Sequence, residues 1–349
     1  MKDPQGRVHL KNLSLPELEE FVISLGEKPF RARQLAQWLY PRGARRFEEM
    51  TTLAKAFRNN LEEKAWISFL EPAGVQTSRD GTRKYRFVLH EGEGIESVLL
   101  PERDHYTLCL STQVGCALGC KFCLTAKRGF IRNLDPSEII DQIIGVRATL
   151  PPKGKLTNLV LMGMGEPLEN FQNVLRALEV IRSPIGLQFS HRRVTVSTAG
   201  IIPRMIELLS RPNFVKLAIS LNAATDEQRS KLMPINRKYP LADLLAACRK
   251  IPLANREKIT FEYVLIKGVN DSEGDALRVA WLLQGMKAKI NLIPFNEYPE
   301  SLYQRPEDGA IQRFREVLMA KRFPAMVRQS KGADILAACG QLGGAVQDS

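Results

Sequence analysis

The chain predicts an α/β fold: a parallel sheet curled into a partial or complete barrel, with a small helical domain in front of it. Three observations carry this expectation. From Tyr106 onward, six short apolar stretches alternate with longer stretches of helical period, as parallel strands joined by crossover helices require. Before that point the texture is helical, with cap and stop signals in place. The chemically capable side chains fall just after the apolar stretches, where a βα barrel gathers its site.

In chain order, Ser14 and Glu17 have capping-box spacing ahead of Leu18, Phe21, Val22 and Leu25, and Gly26 stops that helix. Phe30, Gln34, Leu35, Trp38 and Leu39 give a second helix ended by Pro41 and Gly43, and a third runs from about Leu53 to Trp66. Two alternating stretches, from Lys84 and from Gly94, flank a Glu-Gly-Glu-Gly turn and predict a hairpin. Strands are then expected at Tyr106 to Ser111, Asn158 to Met162, Arg193 to Ser197, Val215 to Leu221, Ile259 to Ile266 and Lys289 to Ile293. Helices are expected near 136–148, 171–182, 201–210, 241–250, 273–285 and 308–321. The division that follows is a helical accessory domain over 1–72, a hairpin connector over 73–105 and a core with a C-terminal loop over 106–349.

A chain of 349 residues can bury a body of about 200–250 residues and still carry a smaller domain. The charge of +12 points to a polyanionic partner, nucleic acid being the usual one. Residues 1–75 hold 12 Lys and Arg against 10 Asp and Glu, so most of the excess lies on the body. Lys28, Arg31, Arg33, Arg42, Arg45 and Arg46 still form a local basic block, readable either as an RNA-docking face or as a solvated helix face. No apolar run reaches the length of a membrane span and no secretory h-region opens the chain, so a cytoplasmic, membrane-free protein is expected.

Six cysteines are too few for a disulfide scaffold, and three are clustered: Cys116, Cys120 and Cys123, in CxxxCxxC spacing. Three thiolates with an open position fit an iron–sulfur cluster that binds a small molecule at its remaining iron. Zinc would want a fourth ligand, and none of the four histidines has metal spacing, although Cys109 or Cys339 could fold in. Three structural thiols are the third reading. Cys109 on an apolar strand and Cys248 on a helix read by themselves as core thiols, and Glu96 as a solvent-facing strand residue. Gly163-x-Gly165 is followed by no Gly-Lys-Ser or Gly-Lys-Thr, which argues against a nucleoside triphosphatase.

CxxxCxxC with Phe122 before the last cysteine resembles the radical S-adenosylmethionine signature. The whole chain resembles the RlmN family of ribosomal and transfer RNA adenine-C2 methyltransferases. The resemblance runs through Gln113-Val-Gly-Cys-Ala-Leu-Gly-Cys120, Met162-Gly-Met-Gly-Glu-Pro-Leu168, Leu232-Met-Pro-Ile-Asn-Arg-Lys-Tyr-Pro240, Asn291-Leu-Ile-Pro-Phe-Asn296 and Ala337-Ala-Cys-Gly-Gln-Leu342. It implies a radical SAM partial (β/α)6 barrel whose Cys116, Cys120 and Cys123 ligate a [4Fe-4S] cluster. It implies that Gly165 and Glu166 meet the amine of S-adenosylmethionine, while Ser197, Ser220, the backbone of Leu221, Asn222 and Asn296 hold the rest. Asn222 stands where the family usually has histidine.

The resemblance further implies two S-adenosylmethionine molecules per turnover. Carbon 2 of adenine is electron-poor, so direct transfer of an electrophilic methyl fails; the methyl goes first to a cysteine thiolate, here Cys339. A radical made from the second molecule activates that methyl group, which joins the base. Cys109 then resolves the protein–RNA adduct as a disulfide with Cys339, and Glu96 or Cys109 takes the C2 proton. The implied partners are 23S ribosomal RNA, the anticodon loop of transfer RNA and a reducing electron donor, with a monomeric enzyme. Lys127, Arg128, Arg132, Arg192, Arg193, Arg237, Lys238, Lys321 and Arg322 are expected to ring the mouth and track phosphates. The alternatives are a relative that methylates adenine carbon 8 and a zinc-dependent RNA-binding protein without catalysis.

Overall fold

A computed structural model describes residues 3, 5–211, 214–253 and 257–343. The helical domain contains α1 (Leu15–Ser24), α2 (Phe30–Leu39) and α3 (Lys55–Lys64). Ser14 and Glu17 close the expected capping box: the Ser14 amide donates to Glu17 Oε2 at 2.7 Å and the Glu17 amide to Ser14 Oγ at 3.3 Å. Leu18, Val22, Leu35, Leu39, Phe57 and Leu61 turn one face of each helix inward, each contributing about 1.5–3 kcal/mol when fully buried. The domain is not all helix, because two-residue strands β1 (Val8–His9) and β2 (Ala65–Trp66) pair in parallel and tie its ends together.

His9 lies buried in that clasp, stacked on Trp66 with ring centroids 3.9 Å apart, and its Nε2 accepts the Ser68 amide. Burial, with the Lys11 charge beside it, holds the imidazole down at about 3. A depressed folded value means that the stability from neutral His9 is complete above the ordinary value near 6.5 and is lost as pH falls toward about 3. The loss is expected to approach ~1.4 kcal/mol per pH unit. Denaturant melts at pH 7 and pH 5 check it: His9→Phe should lose less stability than the wild type over that interval, and equal losses would exclude His9 as the titrating group.

Three strands follow, β3 (Pro72–Thr77), β4 (Arg83–Val88) and β5 (Gly94–Pro101). Then come β6 (Tyr106–Cys109), a small hairpin of β7 (Gln113–Gly115) and β8 (Phe130–Asn133) around the short helix α4 (Leu124–Lys127), and α5 (Pro136–Ala148). The alternation continues through β9 (Leu156–Leu161), α6 (Phe171–Arg182), β10 (Val194–Thr198), α7 (Ile202–Leu209) and β11 (Lys216–Ser220). It ends with α8 (Asp226–Leu232), α9 (Leu241–Arg249), β12 (Ile259–Leu265), α10 (Glu273–Leu282), β13 (Ala288–Pro294), α11 (Asp308–Ala320) and β14 (Ala325–Val327).

All six expected core strands form, and they are parallel neighbours in chain order from β6 and β9 to β13, with β14 added at the edge. The strand order is linear, so the barrel stays open: a partial barrel. The predicted hairpin, β4 and β5, continues the same sheet, with β5 antiparallel to β6, and β3 extends it further. Residues 73–105 therefore supply sheet strands to the core. β3, β14 and α8 were not anticipated because each is short and too polar or too exposed to show a period.

Candidate active site

The sheet delivers the clustered cysteines through a tight connection after β6. Gly115 sits at φ +74, and a Cβ there would lie 1.8 Å from the Gly129 carbonyl oxygen. That contact lets Cys116 N–H donate to Gly129 O at 2.8 Å, fixing where the first thiol starts. Further along, Lys121 N–H donates to Leu232 O at 2.9 Å and Leu124 N–H to Gly340 O at 2.7 Å, which binds the loop to α8 on one side and to the C-terminal loop on the other. Gly115→Ala is expected to lower the iron bound per chain after anaerobic reconstitution by more than half and to cost on the order of 1–3 kcal/mol from backbone strain. Full iron content in a variant as stable as the wild type would rule this out.

The three thiols press on one another. Burial, then Cys123, Glu166 and Glu169, push Cys116 up to about 12. Burial, then Cys123 and Cys116, push Cys120 higher still, against a pull from Arg229. Such mutual repulsion is relieved when a cationic centre takes all three as thiolates. Yet among the described residues no three His, Cys, Asp or Glu side chains are arranged to hold a single metal ion. Three thiolates on one loop can each ligate a separate iron of a multi-iron cluster.

Cys339 lies near enough to Cys109 to raise its pKa, and the loop that carries Cys339 is joined to the three-thiol loop where Leu124 N–H donates to Gly340 O. Cys109 is buried at the end of β6, where the Met162 backbone hydrogen-bonds its thiol; burial and the nearby Cys339 both raise its pKa. Cys339 is exposed, yet its thiol is pushed up to about 11, first by desolvation and then by Glu262, with Arg328 opposing. Glu262, on β12, and Arg328, just after β14, were not singled out in the sequence; the signal was a lone carboxylate on an otherwise apolar strand.

Glu96 is buried, contrary to its plain reading as a solvent-facing residue. Val98 pairs with Cys109, so Glu96, two residues away, shares its face of the sheet. Its Oε1 lies 3.3 Å from Lys84 Nζ, and its Oε2 accepts the Gly343 amide at 2.6 Å. The carboxylate thus reaches the loop that carries Cys339. That loop is also strapped by Asp334, which accepts from Ser78 Oγ and the Arg79 amide, and by Thr125 Oγ1, which donates to Leu342 O.

The expected cofactor-binding residues lie at the C-terminal ends of β9 to β13, but several are already engaged within the protein. Gly165 adopts φ +98, and a Cβ there would lie 2.5 Å from Gln113 Cβ, so its first need is close packing on β7. Glu166 is buried, and its oxygens accept the Leu168 and Ala199 amides at 3.1 and 2.8 Å. Desolvation dominates these bonds and raises its pKa to about 7. Ser197 and Ser220 are half-buried near the strand ends. The Leu221 amide donates to Glu262 O and its carbonyl accepts Arg229 Nε, so its backbone is committed to the sheet and to α8.

Asn222 adopts φ +56, and its Oδ1 accepts the Val264 amide at 2.8 Å. Asparagine tolerates the left-handed region better than most residues. Asn296 donates from Nδ2 to Cys339 O at 3.0 Å and accepts from Ser330 Oγ, so it grips the C-terminal loop directly.

The basic residues do not form one ring. Arg192 and Arg193 precede β10, and Lys321 and Arg322 precede β14; residues entering parallel strands lie at the N-terminal rim, opposite the mouth. Arg132 is taken up by Glu91 and Glu138, with contacts of 2.7 and 2.8 Å. Lys127 and Arg128 follow the cysteine loop, and Arg237 and Lys238 follow α8, on the mouth side. In the basic block, Arg45 stacks on Phe69 and Arg42 on Trp38, while Lys28 and Arg33 are exposed.

Residues 110–280 match the radical SAM superfamily and residues 8–67 match the ribosomal RNA large subunit methyltransferase N-terminal domain. A dual-specificity RNA methyltransferase RlmN from Desulfosudis oleivorans is 54% identical over 334 residues, covering 95% of this chain and 90% of the relative. The RlmN of Syntrophus aciditrophicus is 51% identical, with 97% of each chain covered. The chain belongs to the RlmN family. A radical SAM methyltransferase from Sphaerobacter thermophilus, solved by crystallography, superposes with a TM-score of 0.90 at 42% identity, over 96% of this chain and 99% of that one. As a member of the RlmN family the chain is an RNA methyltransferase on the radical SAM fold, and that superfamily carries a [4Fe-4S] cluster and S-adenosylmethionine. No helix among the described residues is long and apolar enough to cross a membrane.

Proposed function

We propose that this enzyme methylates carbon 2 of an adenine in 23S ribosomal RNA and in the anticodon loop of transfer RNA, using two S-adenosylmethionine molecules per turnover. The observation that carries the reading is the return of the Cys339 loop, remote in sequence, to the three-thiol loop, where Leu124 N–H donates to Gly340 O and Asn296 Nδ2 to Cys339 O, with Cys109 near enough to feel Cys339. When bound, the cluster and S-adenosylmethionine supply one-electron chemistry and an adenosyl radical. Cys116, Cys120 and Cys123 hold the cluster. Gly165, Glu166, Ser197, Ser220, Leu221, Asn222 and Asn296 frame the cofactor, Asn296 by also positioning the loop.

Cys339 accepts a methyl group as a thioether and, once that carbon has lost one hydrogen atom, presents it to the base. The resulting carbon radical adds to C2, Glu96 receives the C2 proton, and the unpaired electron left on the adduct would pass to the redox cofactor, leaving a closed-shell thioether between Cys339 and the base. Cys109 then attacks the Cys339 sulfur, the sulfur–carbon bond breaks, its electron pair and a proton complete the new methyl group, and a Cys109–Cys339 disulfide remains for an external donor to reduce. The raised thiol of Cys339 requires a neighbour that favours the thiolate, and Arg328 is placed to do so. The target adenine must leave its stack, which favours loops over duplex. Lys127, Arg128, Arg237 and Lys238, with the N-terminal domain, supply phosphate contacts. The enzyme works as a cytoplasmic monomer.

Mass spectrometry of digested ribosomal and transfer RNA after reaction tests the reading. The expected product is 2-methyladenine; 8-methyladenine would transfer the chain to the carbon-8 relatives. A colourless, iron-free, zinc-loaded protein from anaerobic purification would favour a non-catalytic RNA binder.

A further inference from the structure

We propose that Arg229 is a positioning residue for charge: a buried cation that raises the electron affinity of the cluster held by Cys116, Cys120 and Cys123. The inference rests on the cluster reading above and concerns a residue outside the cofactor frame. Arg229, on α8, is fully buried. Its Nη2 donates to Ala199 O at 2.7 Å and Ser220 O at 3.0 Å, its Nε to Leu221 O at 3.0 Å, and its Nη1 to Asn236 Oδ1 at 3.0 Å. Every one of these acceptors is neutral. Among the described residues no carboxylate forms an ion pair with it; the nearby Asp226 accepts instead from Asn236 Nδ2 at 2.9 Å and the Leu241 amide at 2.8 Å.

A buried charge without a counter-ion is costly, so a compensating negative group should lie close. The group on offer is the cysteine loop. Leu232 and Met233, at the end of α8, pack with Leu118, Cys120 and Phe122, and the Lys121 amide is bonded to Leu232 O. Its three carbonyl partners sit at the ends of β10 and β11, so the same fork that fixes the site floor fixes the charge beneath it. A cluster on three thiolates becomes more negative on reduction, and a fixed cation in a low-dielectric setting favours the reduced form.

The test uses the full chain reconstituted anaerobically, with iron and sulfide content, thermal midpoint, and the ratio of reduced to oxidised cluster at one fixed potential, read by electron paramagnetic resonance. Arg229→Gln should lower that ratio about tenfold, equivalent to a midpoint about 59 mV more negative for one electron. Arg229→Lys, which keeps the charge but loses the fork, should stay within about threefold of the wild type. Asn236→Asp places a carboxylate on the same guanidinium and should shift the ratio in the direction of Arg229→Gln. Should Arg229→Gln fail to fold, Asn236→Asp decides alone. A fully loaded Arg229→Gln or Asn236→Asp protein with an unchanged ratio, or equal shifts in the Gln and Lys variants, would overturn the proposal and leave Arg229 a packing staple. A wild type that binds no iron would instead sink the cluster reading.

Discussion

Replacing Cys109 with alanine is expected to leave the enzyme covalently joined to its RNA, while Cys339→Ala forms neither crosslink nor product. Both follow from two neighbouring thiols with different access. Cys339 is open to solvent and so to a base, whereas Cys109 is buried at the strand end, close to Cys339. Product formation should fall by at least about a hundredfold in both variants, since each removes a covalent step. Denaturing electrophoresis under turnover conditions separates the two: an RNA-shifted band with Cys109→Ala and none with Cys339→Ala. Free RNA alone from Cys109→Ala would remove Cys109 as the resolving thiol.

The second large effect concerns the joint between the N-terminal domain and the body. Lys11 and Asp141 form an ion pair at 2.6 Å with both side chains fully buried, and Lys11 also donates to Ser68 O at 2.8 Å. Lys11→Met leaves the Asp141 carboxylate buried with only Ser68 Oγ, at an expected cost of about 3–5 kcal/mol. Lys11→Met with Asp141→Leu should recover much of it, because the desolvation penalty goes with the charge. Desolvation already raises the Asp141 pKa despite Lys11, and removing Lys11 raises it further. A raised folded value confers stability at low pH that is lost as pH rises, so the single variant should be closer to wild type at pH 5 than at pH 8. Denaturant titrations at both values check this, and a pH-independent deficit would argue against a charged Asp141 as its cause.

The same physics explains what could be read in advance. Helices α1, α2, α3, α5, α6, α7, α9, α10 and α11 and the core strands were legible because apolar period and caps are local properties of sequence. Asn12, whose Oδ1 accepts the Ser137 amide and whose Nδ2 donates to Asp135, docks the two domains and had no local signature at all. Charge was the least legible feature. Arg132 looked free until Glu91 and Glu138 closed on it, and Arg192 and Arg193 looked like part of the mouth until strand direction put them at the other end.

By itself the sequence determined the succession of strands and helices, the three-thiol spacing and the family to which the chain belongs. These are set over a few residues at a time, or by motifs whose residue types the chemistry demands. Only the tertiary structure decided which groups come together: the Cys339 loop with the three-thiol loop, Glu96 with the Gly343 amide, and Arg229 with the carbonyls of Ala199, Ser220 and Leu221. Such meetings depend on strand order and on where a returning loop is strapped, and desolvation is a property of the enclosing fold. A buried arginine reads in the sequence like any surface arginine; its meaning appears only when the carbonyls at the ends of two neighbouring strands close around it.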